Sequence, residues 1–378
     1  MGIDKLGKFS DIHQNDSKNM DKNPRCFILF ENSCKSKRTF ENYKKTLDMF
    51  LKWSNKDYES FVLLSEFDKN EILQDYAIYF RKRCKSGNLS PNSIPNYFSG
   101  VFKFLKVNGC NYNEDSIKQL YPALMKLGGD KAITTEQIKR LILTCRYKRE
   151  RALIHFCAAT GARPEAITEI QFKHISKYQD GFLKIILYAL DTHEMITFLH
   201  PETVKVLDEY LEWRKSRGEK ITSESYLFST NHLIPKKLSL NRIENIMDRV
   251  WKNSDVKREK IGNRYDLAMF TCFRKRFDTL LEFNPEVSSG AIQYLMDHTG
   301  YMSGKHYRRP KEEQIFNSYK SAVKNLMIDD MLRKNHEFEE KQKEFEKHET
   351  QKDTRIKELE SRAERTEKLL IQLMKKLD

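Results

Sequence analysis

Four residues of the chain are of types that act on phosphate groups. Arg163 follows a glycine turn at the start of an apolar run, and Arg274 opens a basic cluster in another helical segment. His298 is followed nine positions later by Tyr307. Arginine binds phosphate and stays protonated, while histidine and tyrosine exchange protons or act as nucleophiles. Taken singly, each has an ordinary alternative, namely a surface arginine, a basic residue in a solvated run, a core histidine or a packing tyrosine.

The composition favours a polyanionic partner. The 378 residues contain 68 Lys and Arg against 54 Asp and Glu, which gives a formal charge of +14. Residues 331–378 hold 13 basic and 12 acidic residues, so 55 basic and 42 acidic residues remain upstream and a surplus of 13 lies there. A basic surplus interleaved with tyrosines is typical of a nucleic-acid surface, although a merely soluble basic protein would also have one.

The sequence contains no signal for a membrane span or for secretion. Its apolar stretches fall short of the roughly 20 residues that cross a bilayer, and the N-terminus is polar. The seven cysteines are scattered without a C-x-x-C pair, which fits neither a disulfide framework nor a zinc site. We therefore expect a soluble cytoplasmic protein with reduced thiols.

Hydrophobic periodicity divides the chain upstream of residue 331 into four parts. The polar residues 1–35 predict a flexible leader, and 36–112 contain three amphipathic helical runs. Residues 113–130, with a proline and two adjacent glycines, predict a linker. Residues 131–328 combine helices with a β-hairpin that turns near 191–194. The predicted fold class is therefore mainly α with a small β-sheet.

The remaining part, residues 331–378, predicts a C-terminal coiled-coil helix. It contains no Gly or Pro, and apolar or small side chains alternate at steps of three and four over its last three heptads. The seam consists of Ile356, Leu359, Ala363, Thr366, Leu370, Leu373 and Leu377. Such a helix would self-associate or recruit a partner. A single solvated helix is the alternative.

The segments that carry the four candidate residues resemble, in order and spacing, the catalytic boxes of the tyrosine recombinase, or phage integrase, family. The matching stretches are TGARPEAI (160–167) with FKHI (172–175) for the first box, RKRFDT (274–279) for the second and LMDH (295–298) for the third. The nucleophile position falls on Tyr307 rather than on Tyr301 or Tyr319. The helices of 36–112 look like the family's SAM-like core-binding helices, so the resemblance covers about 36–325.

The resemblance implies an enzyme that cuts and rejoins DNA strands. Tyr307 would attack a phosphodiester and form a 3′-phosphotyrosyl link with a free 5′-hydroxyl, so that rejoining requires no metal, ATP or other cofactor. Arg163 and Arg274 would stabilise the charge on the phosphate, and His298 would donate to it or assist proton transfer. The helical and catalytic domains would close around duplex DNA as a C-shaped clamp, and four protomers would exchange strands.

Other basic residues would hold the DNA backbone. In the helical domain these are Lys44, Lys45, Arg81 and Lys103, and in the catalytic domain they are Lys275, Arg276, Lys305 and Arg308.

Three positions depart from the family pattern. Thr271 stands where the family usually has a histidine, three residues before the second arginine. The hairpin lysine that serves as general acid has no clear counterpart. His193 lies near the turn and Lys184 lies further back on the preceding strand, and we favour His193. The acidic residue expected three positions after the first arginine is displaced, because Ala166 stands there and Glu165 comes one earlier.

The sequence leaves three biological roles open for a recombinase acting at the nucleoid. Integration or excision of a mobile element is favoured, because the non-standard boxes and the added tail are unlike a compact chromosome-dimer resolvase of the Xer type. An Xer-like role is the second possibility. The third is a recombinase-derived DNA-binding protein that no longer cuts, which Thr271 and the missing hairpin lysine would explain.

Overall fold

The structure is a computed structural model, and it describes residues 23–125, 128–129, 131–191, 193–231, 234–261, 264–297 and 311–374. The chain forms two compact units, one up to residue 126 and the other from residue 127 onwards. Each unit is described separately.

The first unit is helical. Its helices are α1 (Arg25–Asn32), α2 (Lys37–Ser54), α3 (Tyr58–Leu63), α4 (Glu66–Lys85), α5 (Ile94–Val107) and α6 (Glu114–Gln119). The Ser36 hydroxyl caps α2 by accepting from the Thr39 amide at 3.1 Å, and Ser65 caps α4 in the same way. Basic residues in the last turn of α4 complement the helix dipole.

The core of the first unit depends on the close approach of α2 and α5. Gly100 of α5 lies against α2, and its amide donates to the Thr46 hydroxyl at 3.2 Å. A Cβ atom at this position would lie 2.0 Å from the Tyr43 carbonyl oxygen. Aromatic rings fill the space around the pair, including the edge-to-face contact of Phe30 with Phe104 at 5.6 Å.

Two of the predicted segment boundaries are wrong. The flexible leader was expected to extend to residue 35, but α1 begins at Arg25 and buries Phe27 and Phe30 in the aromatic core. Residues 1–22 lie outside the described residues. The expected linker 113–130 contains α6, which Asn113 caps and which buries Ile117. In both places a few well-placed apolar side chains offset the polar composition.

The second unit combines helices with a small sheet. Its helices are α7 (Thr135–Leu143), α8 (Lys148–Thr160), α9 (Pro164–Glu169), α10 (Pro201–Ser216), α11 (Leu240–Asn253), α12 (Thr271–Glu282), α13 (Ser289–Leu295), α14 (Glu312–Leu326) and α15 (Asp330–Met374). A capping box lies at the start of α7, with Thr134 and Gln137 exchanging bonds of 2.9 and 3.2 Å.

The sheet consists of β1 (Ile175–Lys177), β2 (Leu183–Leu187) and β3 (Met195–Leu199), antiparallel and in sequence order. Leu187 pairs with Met195, so the hairpin is present but its turn consists of residues 188–194 and begins three residues before the predicted turn near 191–194. The strand β1 was not predicted from the sequence, because three residues are too short a run to show a pattern. The prediction also lacked the two-residue strands β4 (Lys260–Ile261) and β5 (Arg264–Tyr265).

The buried helix α8 lies at the centre of this unit. Its residues from Ala152 to Thr160 are all buried, and α10 and α12 pack against it. Because α8 is fixed on several sides, the turn that follows its C-terminus has a defined position. This turn carries Arg163.

The helix α15 begins at a fixed point and then extends outwards. The buried carboxylate of Glu202 accepts from the amides of Ile328 at 2.9 Å and Asp329 at 3.0 Å, which sets the turn before α15. Further along, Phe338 and Phe345 are 70% and 64% exposed. The predicted seam residues Ile356 and Leu359 are about half exposed.

Within the described part of the chain, none of the helices is both long and apolar enough to cross a membrane. All seven cysteines are free thiols.

We predict that Gly100→Ala destabilises the first unit. The added methyl group would push α2 and α5 apart, which costs about 1–3 kcal/mol in a well-packed core. Ser99→Ala is the matched control, because Ser99 is partly exposed on the same helix and should change the free energy of unfolding by less than about 0.5 kcal/mol. Equal urea midpoints for the two variants would contradict the close packing.

Candidate active site

The site is built around the turn that ends α8. Gly161 closes the helix with φ +58°, and its amide donates to the Cys157 carbonyl at 2.9 Å. The left-handed backbone favours glycine, and a Cβ atom here would lie 2.9 Å from the Cβ and ring of Phe277. The turn delivers Arg163 to the position just before α9, with its side chain 40% exposed.

Arg274 reaches the same turn from α12. Its Nη1 donates to the Gly161 carbonyl at 3.1 Å, and its Nη2 donates to the Met296 carbonyl. Burial and the neighbouring charge of Arg163 lower the pKa of Arg274. The two predicted arginines, which are 111 positions apart in sequence, therefore lie next to each other in the fold.

A buried carboxylate joins Arg163 to the β2–β3 hairpin. Oδ2 of Asp297 accepts from Nη1 of Arg163 at 2.6 Å. Nδ1 of His193 lies 3.3 Å from both Asp297 oxygens. The Asp297 side chain is only 6% exposed, so these two partners replace the water it would otherwise bind.

Tyr188, at the start of the hairpin turn, is a further partner of Arg163. Burial alone would lower the pKa of Arg163, but its hydrogen bonds to Asp297 and to the Tyr188 hydroxyl outweigh burial and raise that pKa. Burial raises the pKa of the Tyr188 phenol, although the bond to Arg163 acts in the opposite direction. Because Arg163 is the donor, the Tyr188 oxygen accepts and its own proton remains available to another acceptor.

Unusual backbone conformations concentrate at this site. Five described non-glycine residues have positive φ angles, and three of them are Tyr188 at 52°, Leu190 at 67° and Asp297 at 46°. Such conformations cost on the order of 1–3 kcal/mol each and persist where the surrounding structure enforces them. The bond from the Ile196 amide to the Tyr294 hydroxyl at 3.0 Å ties the hairpin to α13, which ends two residues before Asp297.

The remaining acid and base candidates lie in different places. Lys184 sits on β2 opposite Phe198, and its ammonium donates to both carboxylate oxygens of Glu312, at 3.1 and 3.2 Å. His193 is in the turn itself and is 47% exposed. Thr271 is the first residue of α12 and is exposed.

His298 and Tyr307 lie outside the described residues, as do Lys305 and Arg308. Their segment is bounded by Asp297 on one side and by residue 311 on the other. The rejected alternative Tyr319 is fully buried and donates to the Ala159 carbonyl at 2.9 Å. Burial raises its pKa, so this phenol is a packing residue and not an available nucleophile.

One of the predicted DNA contacts is wrong. Arg276 is 4% exposed, and its Nη2 donates to the Thr135 hydroxyl at 3.1 Å and to the carbonyls of Asn325 and Leu326 at 2.9 and 3.2 Å. Burial lowers the pKa of Arg276 to about 10. Its guanidinium joins three helices of the core and faces no solvent that a phosphate could occupy.

The other basic candidates within the described residues are at least partly exposed. Lys45 and Arg81 are exposed, and Lys103 and Lys275 are intermediate. Lys44 pairs with Asp48 at 2.6 Å on the surface of α2. Four of these five side chains belong to the first unit.

Asp297 and Tyr188 were not identified as functional residues from the sequence. Asp297 directly precedes His298 in the third box, and an acidic residue in that place was the only available signal. Tyr188 lies in the hairpin region where the family has its lysine, and nothing in the local sequence marks it as a partner of Arg163. The displaced acidic residue of the first box had been noted, but the sequence could not show that a carboxylate from a distant segment contacts Arg163.

The arrangement can bind a single phosphate. Two adjacent guanidinium groups carry two positive charges, and one buried carboxylate offsets only part of that charge. Both arginines are oriented by carbonyl, carboxylate or phenol acceptors, so little reorganisation is needed when an anion binds. The hairpin adds an imidazole and a phenol at the edge of this cationic site.

The model of the Phage integrase family matches residues 131–314, which span the turn, the hairpin and both arginines. The resemblance inferred from the motifs is thereby confirmed for residues 131–314. No curated protein sequence matches the chain.

Solved structures similar to this chain are recombinases. A lambda integrase (75–356) dimer bound to a COC′ core site has a TM-score of 0.51 and 12% identity, covering 76% of this chain and 95% of that chain. XerH recombinase bound to a difH substrate has a TM-score of 0.48 and 16% identity, covering 74% and 78%. XerA recombinase has a TM-score of 0.37 and 20% identity, covering 79% and 98%. The similarity to the integrase supports the fold.

We predict that Gly161→Ala destabilises the second unit more than Gly218→Ala does. Both glycines have positive φ angles, so each variant pays about 1–2 kcal/mol for a left-handed alanine. Only Gly161 faces Phe277, whereas no atom lies within 4 Å of a Cβ at Gly218. The Gly161 variant should therefore lose about 1–3 kcal/mol more free energy of unfolding in urea. Equal losses would show that the turn does not need its close contact with α12.

Proposed function

Residues 131–314 are a phage integrase family domain, and on that premise we propose that this chain is a site-specific tyrosine recombinase. The observation that carries the proposal is the convergence of Arg163 and Arg274 on one turn, next to a hairpin that presents an imidazole. Two fixed cations suit the scissile phosphate, whose non-bridging oxygens gain negative charge during the reaction.

The proposed reaction is a reversible strand transfer. The Tyr307 phenol attacks phosphorus, a 3′-phosphotyrosyl bond forms, and the 5′-oxygen leaves as a hydroxyl. Arg163 and Arg274 hold the phosphate, and His298 donates to it or assists proton transfer. The bond energy is retained in the covalent intermediate, so the 5′-hydroxyl of another strand can reverse the step without an external energy source.

Duplex DNA is the proposed substrate for both units. The first unit would act as the SAM-like core-binding domain, with Lys44, Lys45, Arg81 and Lys103 contacting phosphates, and Lys275 would do so in the second unit. The upstream surplus of 13 positive charges supports this assignment. Four protomers on two recombination sites would then exchange strands in pairs.

Movement of a genetic element is the proposed biological role. The long helix α15 supports it, because it is an addition to the catalytic unit that a minimal chromosome-dimer resolvase would not need. An Xer-like resolvase remains the second proposal. A binding protein that no longer cuts is the third, and the ion pair of Lys184 with Glu312 favours it in the absence of another general acid.

The first prediction of this proposal is a covalent adduct with DNA. Nicked duplexes with a randomised central sequence should trap the protein on DNA, because the short cleaved fragment diffuses away and cannot be rejoined. Denaturing gels should detect the adduct, and sequencing of the attached DNA should reveal the recognition site. Tyr307→Phe should abolish the adduct, and Arg163→Ala should reduce its rate by about 10²–10³-fold.

Tyr301→Phe is the matched control, since it makes the same chemical change within the same segment and should leave the adduct intact. Wild-type protein that binds the nicked duplexes but never forms an adduct would support the non-cutting alternative. An adduct that survives Tyr307→Phe would contradict the assignment of the nucleophile.

The second prediction concerns self-association through α15. A helix of 45 residues with apolar side chains about half exposed at its seam positions gains stability when a second copy covers them. Ile356→Lys combined with Leu359→Lys should reduce the mass measured by light scattering, because the lysines would face each other in the seam. Thr354→Lys with Ser361→Lys is the control, since both positions lie on the opposite face of the helix.

An unchanged mass for the seam variant, or a monomeric wild type at all concentrations, would contradict the coiled coil.

A further inference from the structure

We infer that Asp297 is a positioning residue that orients His193 as the proton donor to the leaving 5′-oxygen of DNA. This inference rests on the proposed strand-transfer reaction and assigns the proton-donating step, for which the sequence offers no clear hairpin lysine. It adds a carboxylate–imidazole pair to the site, in which His193 contacts the substrate and Asp297 acts through His193 and Arg163.

The contact between the two side chains determines which imidazole nitrogen is free. An ionised carboxylate can only accept hydrogen bonds, so Nδ1 of His193 must carry a proton in order to bond Asp297 at 3.3 Å. Nε2 has no hydrogen-bond partner among the described residues, and nearly half of the His193 side chain is exposed. With Nδ1 bonded to Asp297, Nε2 is the nitrogen left for the proton transfer that we propose.

The hairpin backbone holds His193 in this position. Its amide donates to Oδ1 of Asp191 at 3.0 Å, and the Leu190 amide donates to Oε2 of Glu194 at 2.8 Å. Leu190 is fully exposed and still adopts a left-handed backbone, so packing of its own side chain does not account for that conformation. The turn stores strain in a geometry that directs residue 193 towards Asp297.

The alternative donor is held elsewhere. Lys184 is three residues before the end of β2, roughly 10 Å along the strand from the start of the turn. Its ammonium donates to both carboxylate oxygens of Glu312. Lys184 would have to break this ion pair before it could donate a proton to the 5′-oxygen. His193 needs no such change.

Asp297 also connects proton transfer to phosphate binding. The same carboxylate accepts from Arg163 at 2.6 Å, so the proton donor and one phosphate-binding group share a single buried anchor. A displacement of either partner would shift the other. This arrangement keeps the imidazole at a fixed distance from the phosphate that Arg163 binds.

The Tyr307 oxygen forms a bond to phosphorus as its phenolic proton passes to water, and the bond between phosphorus and the 5′-oxygen breaks. The 5′-oxygen keeps the bonding electron pair and takes the proton from Nε2 of imidazolium His193, which becomes neutral imidazole with Nδ1–H still bonded to Asp297. In rejoining, Nε2 removes the proton from the incoming 5′-hydroxyl.

A substrate with sulfur at the 5′-bridging position tests the inference. A thiol loses its proton near pH 8.5, so a thiolate leaves without a general acid, whereas the far more basic alkoxide needs one. Rates of adduct formation would be measured for full-length protein on the nicked duplex recovered above, with either oxygen or sulfur at the cleaved bond. The variants are His193→Ala, Asp297→Asn, Lys184→Ala and Arg163→Ala.

His193→Ala should slow cleavage of the oxygen substrate by about 10²–10⁴-fold and leave the sulfur substrate within a few-fold of wild type. Asp297→Asn should slow the oxygen substrate more than the sulfur substrate. Arg163→Ala should slow both substrates, because phosphate binding is needed in either case, so sulfur should not restore its rate to that of wild type. A folding defect would also slow both substrates equally, so the selective rescue distinguishes proton donation from a structural role.

The inference would be overturned if His193→Ala slowed cleavage of the oxygen and sulfur substrates equally, or if it did not slow cleavage at all. It would also be overturned if Lys184→Ala, and not His193→Ala, were rescued by sulfur. Absence of any wild-type adduct on the randomised nicked duplexes, with oxygen or with sulfur at the cleaved bond, would overturn the proposed recombinase function, and with it this inference.

Discussion

The bond between Arg163 and Asp297 is the interaction on which the site depends. It joins the turn after α8 to the segment after α13, and through His193 it reaches the hairpin of the sheet. An arginine that is 40% exposed would otherwise sample many rotamers, and its binding to a phosphate would cost the entropy of ordering it. The buried carboxylate orders it beforehand, and the phenol of Tyr188 restricts it further.

The supporting elements are arranged to keep this bond in place. Gly161 allows α12 to approach closely enough for Arg274 to bond its carbonyl, and Arg274 also holds the carbonyl of Met296, the residue before Asp297. The two arginines are thus connected twice, through the Gly161 turn and through the Met296–Asp297 backbone. The strained backbone at Tyr188 and Asp297 costs local stability, and it places both side chains within hydrogen-bond distance of Arg163.

Net charge is a poor guide to which basic residues bind DNA in this chain. Arg149 donates to the Ser229 carbonyl at 2.7 Å and Arg214 to the Leu227 carbonyl at 2.8 Å, both in the interior of the second unit. Arg276 likewise donates to the carbonyls of Asn325 and Leu326 at the end of α14. Buried guanidinium groups that cap carbonyls contribute to the count of +14 but not to the surface that a phosphate meets.

The sequence was sufficient for the helices with strong periodicity, the hairpin and the two arginines. Arg163 and Arg274 were predicted because residue type and spacing matched a known pattern of chemistry. Asp297 was missed because its role comes from contacts across the fold, and Arg276 was misassigned because one helix turns neighbouring basic residues to opposite faces. The helix α1 was missed because a few buried phenylalanines outweigh a polar stretch that composition alone reads as flexible.

The most direct test of the account is an experimental structure of the protein trapped covalently on DNA. The account predicts that the phosphate attached to Tyr307 lies within hydrogen-bond distance of the guanidinium groups of both Arg163 and Arg274, with Asp297 still bonded to Arg163. A phosphate bound elsewhere in the second unit, with the arginine pair facing solvent, would contradict it.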